Sequence, residues 1–300
     1  MKKKKIREIF LFGFIIVIIL VLLLLYKYKE KTMEFIPSLL LIDKDNISAQ
    51  AYGVIDLKTG RMLAAKGEKE QVKTASLAKL FSIHMVNGLK YMDSYIEISQ
   101  DNLDLVGHNS SMSNLLPGTY FLENIYHAIL APSGNDAMYA LADNIGKDMN
   151  PELETCQDRL DEYTQALNKF IKEEGFLNTS IKDVTGYYGK TYSCVEDLSK
   201  LSQELLKKKW FRNMTGQYQY LSRTPSGKSL VWDNTNKFLN PDSKFYNPNI
   251  HGIKTGSLEN YKNIISLYED EQSSLLIIVI GSKTDDLRYE DTLNLIEKYK

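Results

Sequence analysis

The segment from residue 263 to residue 280, NIISLYEDEQSSLLIIVI, decides the fold. Two apolar runs, residues 263–268 and 274–280, stand on either side of the polar residues 269–273. Each run has the length of a strand, and the polar stretch between them has the length of a hairpin loop. The pattern therefore predicts two neighbouring antiparallel strands.

Further elements follow from the sequence outside this pair. Residues 51–65 predict a hairpin whose turn is Lys58-Thr59-Gly60, and residues 285–299 predict a helix. Residues 76–209 are mainly helical by pattern, so the sheet must be assembled from both ends of the chain around an inserted helical region. We therefore expect an α/β (α+β) fold in which helices flank an antiparallel sheet.

Three short motifs carry residues that are typical of acyl transfer by a serine. They are SLAK at residues 76–79, SGN at residues 133–135 and KTG at residues 254–256. Ser76 and Lys79 are three positions apart, so on a helix they share one face, and Lys79 can take the proton from the Ser76 hydroxyl. Near the first turn of such a helix, unpaired backbone N–H groups favour an oxyanion next to the serine.

The other motif residues suggest supporting roles. Lys79 must spend time neutral to act as a base, which requires burial or a second positive charge such as Lys254. Ser133 can relay a proton to a leaving amine, and the Asn135 amide can bind a substrate peptide group. The lysine, hydroxyl and glycines of residues 251–257 suit a carboxylate, so the sequence predicts a peptide substrate with a free C-terminus.

Each motif alone is weak evidence for an active site. KTG, for example, also occurs at residues 58–60, in the predicted hairpin turn. The flanking residues are more specific: TASLAKL at 74–80, LAPSGNDA at 130–137 and HGIKTG at 251–256. These segments resemble the serine D-alanyl-D-alanine carboxypeptidases, which are low-molecular-mass penicillin-binding proteins of the β-lactamase/transpeptidase-like superfamily. The resemblance extends over residues 47–299.

This resemblance implies a specific activity. Such enzymes remove the terminal D-alanine of peptidoglycan stem pentapeptides through an acyl-enzyme, and β-lactam antibiotics acylate the same serine as covalent inhibitors. It also implies an oxyanion hole made by the backbone N–H groups of Ser76 and Ser257. Carried over to this sequence, the catalytic residues are Ser76, Lys79 and Ser133, and the substrate-binding residues are Asn135, Lys254, Thr255, Gly256 and Ser257.

Two alternatives remain open at this point. A class A-like β-lactamase would carry a glutamate for the deacylating water in an E-x-x-L-N element, and Glu152 and Glu154 lack that pattern. A penicillin-binding sensor or scaffold of low activity would keep Ser76 but turn over poorly. Leu258 and residues 259–261 depart from the family's usual sequence, which leaves the deacylation rate open.

The N-terminus predicts a membrane anchor. Residues 2–5 are lysines, and the apolar residues 9–25 would span roughly 25 Å as a helix. A cleavable signal peptide is the rival interpretation, but no A-x-A-like cleavage site follows the apolar run. The basic cluster favours a cytoplasmic N-terminus and an extracytoplasmic catalytic domain, as in a single-pass protein of the cell membrane.

The predicted organisation has three parts. Residues 1–32 hold the basic cluster and the transmembrane anchor, residues 33–46 form a connector, and residues 47–300 form the serine D,D-peptidase domain. Membrane attachment is thus expected through the N-terminal helix.

Composition excludes other classes of protein. The net charge is −1, which gives no basic signature of a nucleic-acid-binding protein. No H-E-x-x-H or paired C-x-x-C motif appears, so we expect no metal and no cofactor. A Ser-His-Asp triad lacks its G-x-S-x-G element. A bridge between Cys156 and Cys194 stays open, although two thiols at arbitrary spacing are more often unpaired.

Overall fold

The computed structural model describes residues 47–224 and 226–300. The predicted anchor and connector, residues 1–46, lie outside the described residues. Within the described ranges, no helix has both the length and the apolar character needed to cross a membrane.

The described residues form eleven strands, one 3-10 helix and eight α-helices. The strands are β1 Ala51–Asp56, β2 Arg61–Lys66, β3 Val72–Lys73, β4 Tyr95–Ile98, β5 Gly118–Phe121, β6 Tyr192–Ser193, β7 Gln219–Arg223, β8 Ser229–Asp233, β9 Ile250–Leu258, β10 Tyr261–Glu269 and β11 Ser274–Ser282. A 3-10 helix spans Ala75–Ala78. The α-helices are α1 Lys79–Asn87, α2 Gln100–Asp104, α3 Leu122–Leu130, α4 Asn135–Met149, α5 Cys156–Glu173, α6 Val195–Leu206, α7 Lys209–Thr215 and α8 Asp285–Tyr299.

The main sheet is built from both ends of the described chain. Its order is β2-β1-β11-β10-β9, and every neighbouring pair is antiparallel. One row across the sheet pairs Gly53 with Ile278, Ile278 with Ile265, and Ile265 with Lys254. This arrangement confirms the predicted antiparallel sheet, and it places the KTG motif on the edge strand β9.

Both faces of this sheet are buried. Side chains alternate along a strand, so Leu276 and Ile278 of β11 join the core of the helical region, whereas Ile277 and Val279 pack with α8 residues such as Leu295. This double burial explains why the predicted strand at residues 274–280 is almost entirely apolar.

The region between β2 and β9 is mainly helical, as predicted, but it also contains small sheets. β3 pairs with β6, β4 with β5, and β7 with β8. These strands are two to five residues long, too short for alternation to distinguish them from loops or helix ends. The predicted hairpin turn Lys58-Thr59-Gly60 is confirmed: Asp56 accepts hydrogen bonds from the Lys58 N–H at 2.9 Å and from the Thr59 hydroxyl at 2.6 Å.

Candidate active site

Ser76 lies in the 3-10 helix Ala75–Ala78, and Lys79 is the first residue of α1. The sequence predicted both residues on one regular α-helix. The structure differs from this prediction, because Ser76 lies in the tighter turn of a 3-10 helix. It still brings the side chains together, since the Lys79 Nζ donates to the Ser76 Oγ at 3.2 Å. Ala75 has a φ of +47°, which is uncommon for a residue with a Cβ, and such backbone strain is typical of functional sites.

Lys79 connects the first two motifs. Its side chain is fully buried, and its Nζ donates to the Ser133 carbonyl at 2.7 Å, to the Ser133 Oγ at 3.3 Å and to the Asn135 Oδ1 at 2.6 Å. Ser133 has a φ of +64°, a left-handed conformation. The structure thus brings Ser76, Lys79, Ser133 and Asn135 into one cluster.

Burial sets the protonation of Lys79. It lowers the pKa of the Lys79 amine to about 7, against the opposing field of the carboxylates of Asp183 and Asp136. The sequence left burial and the charge of Lys254 as the two possible causes of a lowered pKa, and burial is the one that lowers the pKa of Lys79. Near pH 7 a large fraction of Lys79 is therefore neutral and able to accept the proton of Ser76.

Lys254 lies on β9 and is also buried, with its Nζ donating to the Thr255 carbonyl at 3.1 Å. Burial lowers the pKa of Lys254 well below its usual range, and the charges of Lys79 and Arg288 add to that effect. An anion bound beside Lys254 would reverse the shift, because an opposite charge favours the protonated amine. A carboxylate that bound beside Lys254 would therefore be accompanied by uptake of a proton.

The edge strand β9 passes very close to the Ser76 turn. A Cβ at Gly256 would lie 2.9 Å from the Thr74 carbonyl oxygen and 3.3 Å from the Ser76 backbone nitrogen. Glycine is the residue that permits this approach. Next to it, the Thr255 hydroxyl shares a hydrogen bond of 2.5 Å with the Thr235 hydroxyl.

Several supporting residues were not predicted from the sequence. Asn263 of β10 donates to the carbonyls of Lys73 and Thr74, both at 2.9 Å, and thereby ties the Ser76 turn to the sheet. Arg288 of α8 donates to the Gly256 carbonyl at 3.3 Å and to the Ser257 Oγ at 3.1 Å. Asn263 is a polar residue in an apolar strand and could have been noticed, whereas no sequence pattern links Arg288 to β9.

Asp136, directly after the SGN motif, fixes a neighbouring loop through hydrogen bonds. Its buried carboxylate accepts from the Ser113 N–H at 2.9 Å, the Ser113 hydroxyl at 2.7 Å and the Leu115 N–H at 3.2 Å. The Trp232 ring N–H donates to the Ser113 carbonyl at 2.7 Å from the other side. These bonds fix the loop that precedes β5 against the start of α4.

A cavity of about 740 Å³ opens over this cluster. The motif residues that line it are Ser76, Asn135 and Ser257. The other lining residues are residues 109–111, Tyr187, Leu258, Glu259 and Lys262. Lys79 and Lys254 are buried, so Ser76 is the reactive group that a ligand in the cavity meets. Glu152 and Glu154, considered for a β-lactamase, do not line this cavity.

One group of possible metal-binding atoms exists in the described part of the chain: Cys194, Glu196 and Asp197, within 4.8 Å of one another. Its atoms already have structural roles, because the Cys194 Sγ accepts the Asp197 N–H at 3.4 Å and Asp197 accepts from the Thr179 hydroxyl at 2.7 Å. Burial raises the pKa of the Cys194 thiol to about 11, which disfavours the thiolate that a metal needs. Cys156 and Cys194 are both buried and form no disulfide.

The chain has the fold of a DD-transpeptidase of known structure. The crystal structure of the Streptomyces K15 DD-transpeptidase matches with a TM-score of 0.74 at 24% sequence identity, covering 84% of this chain and 97% of that chain. The peptidase S11 family, D-alanyl-D-alanine carboxypeptidase, matches residues 40–284. The chain therefore belongs to the D-alanyl-D-alanine carboxypeptidase family, as the motif flanks indicated.

Over the aligned residues, relatives in this family are about one quarter identical to the chain. The D-alanyl-D-alanine carboxypeptidase DacF of Bacillus subtilis is 27% identical over 256 residues, which cover 83% of this chain and 61% of that protein. DacD of Salmonella typhimurium is 26% identical over 267 residues, which cover 84% of this chain and 62% of that protein. The chain thus spans about three fifths of the length of these curated relatives.

Proposed function

We propose that this protein is a serine-type D-Ala-D-Ala carboxypeptidase that removes the terminal D-alanine of peptidoglycan stem pentapeptides. β-Lactam antibiotics would act as covalent inhibitors by acylating the same Ser76. The observation that carries this proposal is the contact of the buried Lys79 amine with the Ser76 hydroxyl at 3.2 Å, together with a lysine pKa of about 7. Membership of the carboxypeptidase family supports the choice of substrate.

The proposed reaction begins with proton transfer. Neutral Lys79 takes the proton of the Ser76 hydroxyl. At the same time the Ser76 Oγ attacks the carbonyl carbon of the penultimate D-alanine. The backbone N–H groups of Ser76 and Ser257 donate to the resulting oxyanion. The C–N bond then breaks, and the departing D-alanine amine receives the proton from Lys79 through the Ser133 hydroxyl, which lies 3.3 Å from the Lys79 Nζ.

Deacylation completes the cycle. Neutral Lys79 takes a proton from a water molecule as that water attacks the ester carbonyl. The bond to the Ser76 oxygen then breaks, and this oxygen receives the proton back from Lys79. The products are D-alanine and a shortened peptide, and the enzyme returns to its starting state.

The edge position of β9 supports the proposed substrate orientation. Among the described strands, β9 pairs with β10 alone, so a peptide can bind along its other edge as an extended strand. The terminal carboxylate of the substrate would then lie at Thr255 and Lys254, and the scissile carbonyl at Ser257. Asn135, whose Oδ1 is bound by Lys79, lines the opposite wall and can donate its NH₂ group to the substrate.

D-Alanine release tests this proposal. The full chain, purified in a mild detergent, is incubated with an N-acylated peptide that ends in D-Ala-D-Ala. We expect wild type and Ser229→Ala, an exposed serine of β8, to release D-alanine at equal rates, and Ser76→Ala to release none while keeping its circular dichroism spectrum. Release of D-alanine by Ser76→Ala would refute the assignment of Ser76 as the nucleophile. Rapid hydrolysis of penicillin without D-alanine release would indicate a β-lactamase.

We also propose that residues 9–25 form an uncleaved anchor in the cell membrane, with the catalytic domain outside the cytoplasm. The apolar run and the lysines of residues 2–5 support this orientation. In cells that express the full chain, we expect the protein to resist alkaline extraction of membranes and to be digested by protease added to spheroplasts. A soluble, N-terminally shortened product would contradict the anchor and favour a cleaved signal peptide.

A further inference from the structure

A second groove lies between two of the small sheets, outside the active-site cavity. One side of it is the β4–β5 pair and the other is the β7–β8 pair. Its volume is about 470 Å³, and its lining consists of Tyr95, residues 119–121, Asn124 and residues 221–224. None of these residues lines the cavity over Ser76. The groove is therefore a separate feature with the size of a small-molecule site.

Three large apolar side chains of this groove are exposed. Tyr95 of β4 and Phe121 of β5 are a cross-strand pair, and their rings stack with centroids 5.1 Å apart and planes inclined by 23°. Tyr95 is 66% exposed, Phe121 is 46% exposed, and Leu221 on the other side of the groove is 61% exposed. Exposed apolar residues that share one groove are typical of a binding surface.

The polar groups of the groove are mostly neutral and partly unused. One end of the Asn124 amide donates to the hydroxyls of Ser222 at 3.2 Å and Tyr220 at 3.4 Å. The other end, Oδ1, accepts no hydrogen bond from the described residues, and the buried Ser222 hydroxyl donates to none of them. Arg223 is exposed and is the only charged residue among the described residues that line the groove.

This combination of groups suits a saccharide. The faces of a pyranose ring carry C–H groups that pack on aromatic rings, whereas the hydroxyls around its edge require hydrogen-bond partners. A purely apolar ligand would leave the Asn124 and Ser222 groups without partners. A strongly anionic ligand would meet a single positive charge, that of Arg223.

A short loop connects the groove to the active-site cavity. Ser110 and Ser111 line the cavity, and Tyr120 lines the groove. The Tyr120 hydroxyl donates to the Leu116 carbonyl at 3.1 Å and accepts from the Leu116 N–H at 3.3 Å, which fixes the loop at its groove end. The chain from Ser111 to Tyr120 can span at most about 30 Å. A polymer of several sugar units that carries a peptide branch can therefore reach both sites.

We propose that this groove is a saccharide-binding site that holds the glycan strand of the wall polymer while its stem peptide occupies the active site. The link to the stem peptide rests on the proposed function, whereas the binding of a saccharide does not. A stem peptide attached to glycan gains the contacts of the groove, and a free peptide lacks them. Glycan-linked peptide is therefore the better substrate.

Binding of chitotetraose, an oligomer of N-acetylglucosamine, tests the site directly. The full chain, in a detergent without a sugar headgroup, is titrated with chitotetraose and followed by saturation-transfer NMR. We expect saturable binding by the wild type that weakens about tenfold in Tyr95→Ala and in Phe121→Ala, because each variant loses an aromatic ring. Tyr95→Phe keeps the ring and should bind like the wild type. Tyr246→Ala is the matched control, because Tyr246 is 47% exposed and does not line the groove.

D-Alanine release tests the link to the substrate. The two substrates are the free stem pentapeptide and the same pentapeptide carried on an uncross-linked glycan strand. We expect Tyr95→Ala to lower kcat/KM about tenfold for the glycan-linked peptide and to leave the free peptide unchanged.

The outcomes separate this inference from the proposed function. No saturable binding of chitotetraose by the wild type, or unchanged binding by both alanine variants, would overturn the inference and leave the proposed function intact. An equal loss of kcat/KM for both substrates would also overturn it, because the substitution would then act on the active site itself. Saccharide binding that depends on Tyr95, without D-alanine release by the wild type, would support the site and refute the proposed function.

Discussion

Lys79 is the residue whose protonation controls the proposed chemistry. Its pKa of about 7 means that raising the pH through neutrality converts it from an acid into a base. We therefore expect the rate of acylation by benzylpenicillin to rise about tenfold between pH 6 and pH 8, in proportion to the neutral fraction of the amine. Stopped-flow measurements across this range would give the profile, and a rate independent of pH would contradict the role of Lys79.

Substitution of Lys79 by arginine should separate charge from basicity. The guanidinium stays protonated at all accessible pH values, so it cannot accept the Ser76 proton. We expect Lys79→Arg to reduce acylation by about a hundredfold or more. Lys90→Arg serves as the control, because Lys90 pairs with Asp148 at 2.6 Å on the surface and its replacement keeps the charge. Equal rates for the two variants would rule out proton transfer through Lys79.

Lys254 should affect recognition of the terminal carboxylate. We expect Lys254→Ala to lower kcat/KM about tenfold for a peptide that ends in a free carboxylate, because a charge-assisted hydrogen bond is lost. A peptide that ends in an amide has no such charge, so its kcat/KM should change much less. Steady-state kinetics with both peptides gives this comparison, and an equal loss for both would contradict carboxylate recognition.

At the scale of elements, activity depends on how closely β9 approaches the 3-10 helix. We expect Gly256→Ala to lower the acylation rate at least tenfold, because its Cβ would push against the Thr74 carbonyl at 2.9 Å and the Ala75 Cβ at 3.2 Å. Gly88→Ala is the matched control, since a Cβ there would meet the Met85 carbonyl oxygen at an ordinary 3.5 Å. Acylation by Gly256→Ala at the wild-type rate would contradict this dependence.

The elements also explain what the sequence could predict. β10, β11 and α8 were predicted within one to two residues because long apolar runs bounded by polar loops identify them. The β7–β8 hairpin was missed because its strands bury alternate residues only partly. Within the site, the motifs indicated the residues that meet, but the contact of Arg288 with β9 depends on tertiary packing of α8, which no local pattern encodes.

At the scale of the whole molecule, the residues of the site lie on elements that pack against two separate hydrophobic cores. Lys79 and Asn135 belong to the helical region, and Lys254 belongs to the sheet, whose two faces pack against different cores. Ile278 contributes to the core on the helical side and Ile277 to the core beneath α8. The position of the catalytic groups relative to one another therefore depends on both cores.

This dependence can be measured with two neighbouring substitutions. Both side chains are fully buried, so Ile277→Ala and Ile278→Ala should each lower the free energy of unfolding by about 2–5 kcal/mol. Denaturant unfolding followed by circular dichroism gives these values. Replacement of the exposed Val231 by alanine, with 55% of its surface accessible, should change stability by less than about 0.5 kcal/mol. A negligible effect of either isoleucine variant would contradict the two-sided packing.

The central claim is that Ser76 is the nucleophile of a penicillin-sensitive acyl transferase. Its most direct test is intact-mass spectrometry of the full chain after incubation with benzylpenicillin, followed by peptide mapping of the adduct. We expect one covalent adduct per chain, located on Ser76 and absent from Ser76→Ala. An adduct on another residue, an adduct that persists in Ser76→Ala, or a wild type that neither forms an adduct nor consumes penicillin would contradict the claim.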